Sequence, residues 1–190
     1  MSPEEEQGSP GDFLAALAKW KEVRAPGPEH ALLADLAGEF DVSIRFHGGD
    51  EAFETEAIAS ARLVHDGRFL LEELRGEMHA PDEEGRMRPE PYTSTRLLGY
   101  DRFKNAWVGA FVENQNTHLL TFSGVEAPPA EDRELVLFGL GDEPMLDLSD
   151  TTLRHVLRVE DGRRHAWEVS AMAAGGQKIF DFVYARRAAR

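Results

Sequence analysis

The change of hydrophobic pattern after Gly38 constrains the fold more than any other feature of the sequence. A short helical pattern ends at that glycine, and from Glu39 apolar residues alternate strictly with polar ones as far as Phe46. A change from helical to two-residue periodicity is typical of a helix that leads into a half-buried strand. The sequence therefore predicts a first strand that starts at Glu39, buries Phe40 and ends at a turn over residues 48–50.

The rest of the chain reads as further short strands with no helix between them. Turn signals separate these segments, among them Asp66-Gly67, Asp161-Gly162 and Gly175-Gly176. An Asp-Gly pair suits a type I′ hairpin turn because both residues tolerate a positive φ. The predicted strands cover residues 55–65, 68–78, 93–100, 106–113, 118–124, 134–139, 151–159, 164–171 and 178–185. Long acidic loops are expected at 79–91 and 139–150.

About ten short strands without helical crossovers predict an antiparallel sheet, since parallel neighbours need long crossover connections. An open sheet of this size would leave two unpaired edges, and closure into a barrel removes both. We therefore predict a mainly all-β fold, an antiparallel up-and-down β-barrel of about ten strands with one or two short N-terminal helices. A sandwich of two sheets is the alternative.

The chain divides into three predicted regions. Residues 1–11 form an acidic tail expected to be disordered, residues 12–27 a helix and linker, and residues 28–187 a single barrel domain. Asp12 is expected to cap the first helix, and Pro28 to begin a second one that Gly38 ends. The sequence leaves open whether the helix over 12–23 docks on the barrel, bridges to a second copy or stays mobile.

Charge and cysteine content limit the function. The 190 residues include 21 Lys and Arg against 35 Asp and Glu, a net charge of −14, which disfavours nucleic-acid and anionic-membrane partners. The chain has no cysteine, which excludes thiol catalysis and thiolate zinc sites and fits a reducing compartment. The first residues lack a signal-peptide pattern, and no apolar run is long enough for a membrane helix. We expect a cytoplasmic protein, with a homodimer as an open alternative.

Several motifs occur in the order found in a known bacterial family. They are Pro28-Glu29-His30, Leu36-Ala37-Gly38-Glu39-Phe40-Asp41, Gly67-Arg68-Phe69-Leu70, Glu72-Glu73, Arg75-Gly76-Glu77-Met78, Leu97-Leu98-Gly99-Tyr100-Asp101, Lys104, Trp107 and Ser123-Gly124. Over residues 28–187 the chain resembles the family called domain of unknown function 1579 (DUF1579), which usually has Trp at the position of Phe40. This resemblance implies a lipocalin-like, or calycin-type, barrel and no particular activity.

Gly38-Glu39-Phe40 is also similar to the Gly-x-Trp start of lipocalins, with Phe in place of Trp, and this similarity implies a barrel floor. In that fold an aromatic ring closes one end of the barrel, and a basic residue from the last strand stacks across it. The corresponding candidates in this chain are Phe40 with either Arg186 or Arg187. A cation over an aromatic face contributes about 0.5–2 kcal/mol, and Phe is a weaker partner than Trp.

A barrel of eight to ten strands can hold one small ligand, so an interior cavity is expected. The candidates for lining it are polar residues in or beside otherwise apolar strands: Glu73, Arg75, Arg96, Asn114, Asn116, His118, His155 and Glu168. Our first hypothesis is a non-enzymatic cytoplasmic barrel that binds a small, largely apolar ligand. No catalytic residue, cofactor or metal site is predicted, because zinc-protease, calcium-loop, dinucleotide and serine-hydrolase motifs are all absent.

Three other functions stay open at this point. Haem could bind with His118 or His155 as axial ligand. A small hydrolase or isomerase could combine either of these histidines with Glu73 or Glu168. A structural or oligomerisation role would leave the barrel interior filled with side chains.

Overall fold

A computed structural model of the protein describes residues 10–48, 51–124, 133–143, 148–173 and 175–188. Ten antiparallel strands form a closed barrel in which each strand pairs with its neighbours in sequence and the last pairs with the first. The strands are β1 (Gly38–Gly48), β2 (Glu51–Val64), β3 (Phe69–Pro81), β4 (Met87–Asp101), β5 (Ala106–Glu113), β6 (Leu120–Gly124), β7 (Glu134–Glu143), β8 (Leu148–Asp161), β9 (Arg164–Ala171) and β10 (Gln177–Arg186). This topology confirms the predicted up-and-down barrel and excludes the two-sheet sandwich.

Strand β1 carries the predicted alternation into the barrel wall. Phe40, Val42 and Ile44 are buried, and the residues between them face outward or lie at the surface. The closing pair with β10 places Phe40 opposite Arg186 and Phe46 opposite Phe180. Each apolar residue of β1 therefore points into the interior, with Phe40 near one end of the barrel and Phe46 near the other.

Helices cover the end of the barrel at which β1 begins, which we call the closed end. Helix α1 (Pro10–Arg24) precedes a 3-10 helix (Pro28–His30) and helix α2 (Ala31–Leu36), so the predicted second helix forms in two parts. Leu33 and Leu36 of α2 are fully buried against the strand core. The backbone then enters β1 through Gly38, whose φ of +150° suits glycine.

Helix α1 starts earlier than predicted, and its contacts with the barrel lie mainly at its C-terminal end. It begins at Pro10, so Asp12 lies in the first turn instead of capping the helix from outside. Arg102 Nη1 donates to the carbonyl oxygen of Ala25 at 3.2 Å, and Arg68 Nε donates to that of Arg24 at 2.8 Å. Trp20 is exposed, as is most of the apolar surface of the helix. The C-terminal end of α1 is thus tied to turns at the closed end.

The predicted hairpin between β2 and β3 is confirmed. Asp66 and Gly67 have φ values of 57° and 81°, and the Arg68 N–H donates to the His65 carbonyl at 3.3 Å. These are the features of a type I′ turn. The turn at Asp161-Gly162 also forms, and there Asp161 Oδ1 accepts hydrogen bonds from two backbone N–H groups.

The prediction of a long loop over residues 79–91 is wrong, because both adjoining strands extend into this region. Strand β3 extends to Pro81 and β4 starts at Met87, which leaves a tight turn between them. Asp82 Oδ1 organises that turn by accepting the N–H groups of Glu84 at 3.0 Å and Arg86 at 2.9 Å. In this projecting hairpin most side chains from Pro81 to Pro91 are exposed, whereas Met78, His79 and Ala80 are buried or half-buried in a row. It therefore lacks the alternation that marks a half-buried strand.

Several other predictions concern residues that the structure describes only in part. Strands β7 and β8 shorten the connection predicted over 139–150, and residues 144–147 between them lie outside the described residues, as do the turn at 49–50 and most of the tail over 1–11. Within the described residues, no helix is long and apolar enough to cross a membrane.

Candidate functional site

A cavity of about 330 Å³ lies in the half of the barrel opposite the helices, which we call the open end. Aromatic side chains form much of its wall: Phe46, Phe111, Phe122, Trp167, Phe180 and Phe182. Polar residues occur at its rim, including Glu113, Asn116, His118 and Asp142, and two more, Arg96 and His155, are buried deeper. An apolar concave site with few polar groups is typical of small-molecule pockets, and this volume is near their lower limit.

Arg96 belongs to a closed hydrogen-bonded triangle beneath the cavity. Its Nη1 donates to Glu72 Oε1 at 2.9 Å and to the Tyr184 hydroxyl oxygen at 3.1 Å, and the Tyr184 hydroxyl donates to Glu72 Oε1 at 3.0 Å. Burial lowers the pKa of the Arg96 guanidinium, but the interactions with Glu72 and Tyr184 raise it by more. The pKa therefore lies above its usual value. Arg96 is therefore a permanent cation, paired with one carboxylate.

Aromatic rings hold the Arg96 guanidinium in place. Its Cζ lies 4.1 Å from the ring centroid of Trp167, 5.5 Å from that of Phe111 and 5.7 Å from that of Phe182. A desolvated cation over an aromatic face gains about 2 kcal/mol, so these rings and the triangle together fix its orientation. Among the described residues, both hydrogen bonds of the guanidinium come from Nη1, which leaves Nε and Nη2 without a protein acceptor.

His155 supplies a second buried donor at this depth. The Trp167 indole N–H donates to His155 Nδ1 at 3.2 Å. Burial, and then the charge of Arg96, lowers the pKa of His155 to about 3, so the ring is neutral and its proton is on Nε2. This Nε2 is buried and has no hydrogen-bond partner among the described residues. We call Glu72, Arg96, His155 and Tyr184 the polar base of the cavity; Arg96 and His155 line it, and Glu72 and Tyr184 bind Arg96 without lining it.

The rim groups are bonded mostly to one another. The Tyr92 hydroxyl donates to Glu113 Oε2 at 2.7 Å, and Asn116 Nδ2 donates to Glu113 Oε1 at 2.6 Å. His118 Nδ1 lies 3.3 Å from Asp142 Oδ2. Carboxylates at the rim thus add negative charge around the mouth of the cavity.

Comparison with known proteins identifies the family. A family model described as "Protein of unknown function (DUF1579)" matches residues 25–186. The chain belongs to the DUF1579 family. No curated protein sequence matches it. The resemblance seen in the sequence motifs is therefore confirmed, and the family description assigns no activity.

A solved structure supports the fold of this DUF1579 protein. A crystal structure of Rv2717c from M. tuberculosis is similar with a TM-score of 0.61 and 17% sequence identity, and the match covers 86% of this chain and 100% of that one. At this identity the likeness shows the fold alone. A redesigned β-barrel matches with a TM-score of 0.41 and 8% identity over 83% of this chain and 96% of that one, which is too distant for any argument.

The structure brings four of the eight candidate residues to the cavity and places four elsewhere. Arg96, Asn116, His118 and His155 line the cavity, whereas Glu73, Arg75, Asn114 and Glu168 do not. Because side chains alternate along a strand, Glu73 and Arg75 face outward while their neighbour Leu74 faces the interior.

The other two displaced candidates have partners outside the cavity. Glu168 lies on the outer face of β9, where Lys178 and Arg158 pair with it at 2.8 and 3.3 Å. Asn114 accepts the Thr93 N–H at 2.8 Å and donates to the Pro91 carbonyl at 2.9 Å, so it joins the end of β5 to the neighbouring strand β4. Both residues therefore have structural contacts that explain their polarity.

Glu72, Trp167 and Tyr184 are site residues that were missing from the candidate set. Glu72 shares the inward face of β3 with Leu70 and Leu74, and it stands directly opposite Arg96 in the register with β4. A carboxylate within an apolar face needs a buried partner. That signal was present in the sequence, but finding the partner required the strand register.

At the closed end, one of the two arginine candidates lies over the floor residue. Phe40 is 1% exposed, and Arg186 Cζ lies 4.9 Å from its ring centroid. Arg186 Nη2 also donates to the Asp35 carbonyl at 2.9 Å, which ties the last strand to α2. Arg187 instead pairs with exposed Asp41 at 3.1 Å.

The geometry does not favour the predicted His–Glu catalytic pairs or haem ligation by His155. The described residues contain no group of three metal-ligating side chains. Glu73 and Glu168 face outward, so neither forms a catalytic pair with His118 or His155 inside the barrel. A haem-ligating histidine normally donates its other ring N–H to an acceptor, but His155 Nδ1 faces the Trp167 donor. Ligation through Nε2 would require a proton on Nδ1 and would break that bond.

Proposed function

We propose that this DUF1579 protein binds a small, largely apolar ligand in the cavity at the open end of its barrel. The observation that carries the proposal is a cavity of about 330 Å³ with an aromatic wall and a few fixed polar groups at its base. Protein interiors are normally packed to crystal-like density, so an interior that served only as a structural core would be filled.

The polar base supports the same proposal. A buried donor without a partner costs about 1–3 kcal/mol, and His155 Nε2 is such a donor among the described residues. A ligand with one polar atom at its buried end would offset that cost while its apolar part covers rings such as Phe111 and Phe180. The wall supplies most of the contact area, and the base supplies the orientation.

Fluorescence of the neutral dye N-phenyl-1-naphthylamine tests the proposal. Wild-type protein should bind the dye and enhance its emission. Val169→Trp fills the cavity and should abolish binding, because Val169 lines the wall. Val183→Trp is the matched control, since Val183 is 38% exposed on the outer face of neighbouring β10. Equal binding by both variants would contradict a site inside the barrel.

Native mass spectrometry of protein purified without denaturation tests the proposal with molecules from the cell. A retained ligand should add mass to the wild type, and the added mass should disappear on denaturation and in Val169→Trp. The Val183→Trp control should keep it. Added mass in all three proteins would place the bound molecule outside the cavity.

A further inference from the structure

We infer that the ligand is an uncharged apolar molecule with a carbonyl oxygen at its buried end, and that the polar base discriminates against carboxylates. This inference rests on the proposed function and specifies the ligand class. It follows from which hydrogen-bonding groups the base leaves free and from the charge that it already contains.

The free groups at the base are donors. Arg96 uses only Nη1 for its bonds to Glu72 and Tyr184, and His155 presents an N–H at Nε2 because its Nδ1 accepts from Trp167. On the acceptor side, Glu72 Oε1 already receives two hydrogen bonds, and Glu72 does not line the cavity, so a ligand there contacts Arg96 and His155 instead of this carboxylate. A ligand atom at this depth must therefore accept, as a ketone, aldehyde or ester carbonyl does.

The charge at the base is already balanced. Arg96 and Glu72 are 6% and 5% exposed and are bonded at 2.9 Å, so one buried cation faces one buried anion. A ligand carboxylate would bring a second anion to a depth at which Arg96 and Glu72 are almost fully buried. Its attraction to Arg96 would be offset by repulsion from Glu72, and its desolvation would stay uncompensated.

Arg96 cannot readily exchange Glu72 for a ligand anion. Its guanidinium lies against Trp167, and the Tyr184 hydroxyl links it to the same carboxylate oxygen. Glu113 and Asp142 at the rim, together with the net charge of −14, also repel anions that approach the mouth. The polar base and the rim thus both select against anionic ligands.

Displacement of N-phenyl-1-naphthylamine by two isomeric probes measures the selection. Methyl octanoate and nonanoate differ essentially in charge, because the ester and the protonated acid have the same atomic composition. At about pH 7.5 the wild type should bind the ester at least about tenfold more tightly than the carboxylate. Equal or tighter binding of nonanoate would overturn the inference and leave the proposed function intact.

A variant that removes the charge of Glu72 should weaken the preference for the ester. Glu72→Gln keeps the shape of the side chain and an acceptor for Arg96 but removes the balancing anion, so nonanoate affinity should rise by about tenfold while the ester changes little. Glu77→Gln on the exposed face of the same strand is the matched control and should leave both affinities unchanged. An unchanged nonanoate affinity in folded Glu72→Gln would overturn the inference.

Wild-type protein gives an independent test if Glu72→Gln fails to fold. Lowering the pH from about 8 to about 5 brings nonanoate close to the pKa of a carboxylic acid, so the neutral acid becomes a major species and the apparent affinity should rise towards that of the ester. Ester affinity should stay level. A nonanoate affinity that does not change with pH would overturn the inference. Failure of dye and both probes to bind would instead remove the proposed function itself.

Discussion

The two ends of the barrel interior are built from the same strands but are packed in opposite ways. At the closed end, α2 inserts Leu33 and Leu36 over Phe40, and all three side chains are at most 2% exposed. At the open end the strands continue outward around a cavity of about 330 Å³. The difference shows which end provides stability and which is available for binding.

The polar base lies at the boundary between these two regions. Glu72 and Arg96 also line a very small void that reaches down to Leu36 and Leu98, so the ion pair separates packed core from cavity. A buried ion pair contributes little net stability compared with apolar residues of similar size, since desolvation offsets attraction. Its position at the boundary favours a role in ligand selection over a role in stability.

Paired truncations of two phenylalanines on β1 should give the largest contrast between the ends. Phe40→Ala should lower the free energy of unfolding by about 3–5 kcal/mol, because the ring is fully enclosed and stacks under Arg186. Phe46→Ala should cost about 1–2 kcal/mol, because Phe46 lines the cavity and its loss enlarges an existing space. Urea denaturation monitored by circular dichroism measures both.

The exposed Phe103 provides the control for this pair. It is 71% exposed, so Phe103→Ala should leave the urea midpoint nearly unchanged. If Phe46→Ala cost as much as Phe40→Ala, the open end would be as tightly packed as the closed end. If Phe40→Ala left the midpoint unchanged, the floor role of Phe40 would be excluded.

The sequence predicted the closed end better than the open end, for a physical reason. The closed end is built by local signals: the change of periodicity at Gly38, the start of a helix at Pro28 and the Asp66-Gly67 turn. The hairpin that turns at Asp82 was missed because most of its side chains are exposed, and its partly buried residues Met78, His79 and Ala80 are consecutive instead of alternating. Strand prediction from pattern works only where one face is buried.

The polar base was predicted only in part because it joins residues distant in sequence. Arg96 and His155 were recognised as polar residues within apolar strands. Glu72 and Tyr184, which complete the triangle with Arg96, were not: Glu72 faces Arg96 through the pairing of β3 with β4, and Tyr184 reaches both from β10. Glu72 and Glu73 differ only in the side of the sheet that each faces, and a one-residue shift in strand register would exchange the two sides. The site prediction was therefore limited by the unknown strand register more than by the chemistry of the residues.

His165 should make the closed end sensitive to acid. Burial, followed by the charges of Arg96 and Arg186, lowers the pKa of His165 to about 3. Below the usual value of about 6.5 the unfolded chain binds a proton that the folded protein does not bind, so stability falls as the pH drops. At pH 5 this residue should account for a loss of about 2 kcal/mol relative to neutral pH.

The variant His165→Phe isolates this contribution. It keeps a ring in the stack on Tyr184, where the centroids are 4.1 Å apart, and removes the titrating group. The decrease in unfolding free energy between pH 7.5 and pH 5 should therefore be smaller by about 2 kcal/mol in the variant. Wild type and variant with the same decrease would show that His165 does not stay neutral in the folded protein.

Glycines in the turns at the two ends should give the smallest contrast. Gly67 at the closed end and Gly85 at the open end have φ values of 81° and 75°, and a Cβ at either position would meet no atom within 4 Å. Substitution by alanine therefore acts through backbone strain alone, which is about 1 kcal/mol. Gly67→Ala should show the full cost in urea denaturation, because its turn joins strands that enclose the packed core. Gly85→Ala should cost about half as much, since the exposed tip of its hairpin can open locally and relieve the strain. Equal costs would mean that the projecting hairpin unfolds only together with the whole barrel, and the rim of the cavity would then be as rigid as the closed end.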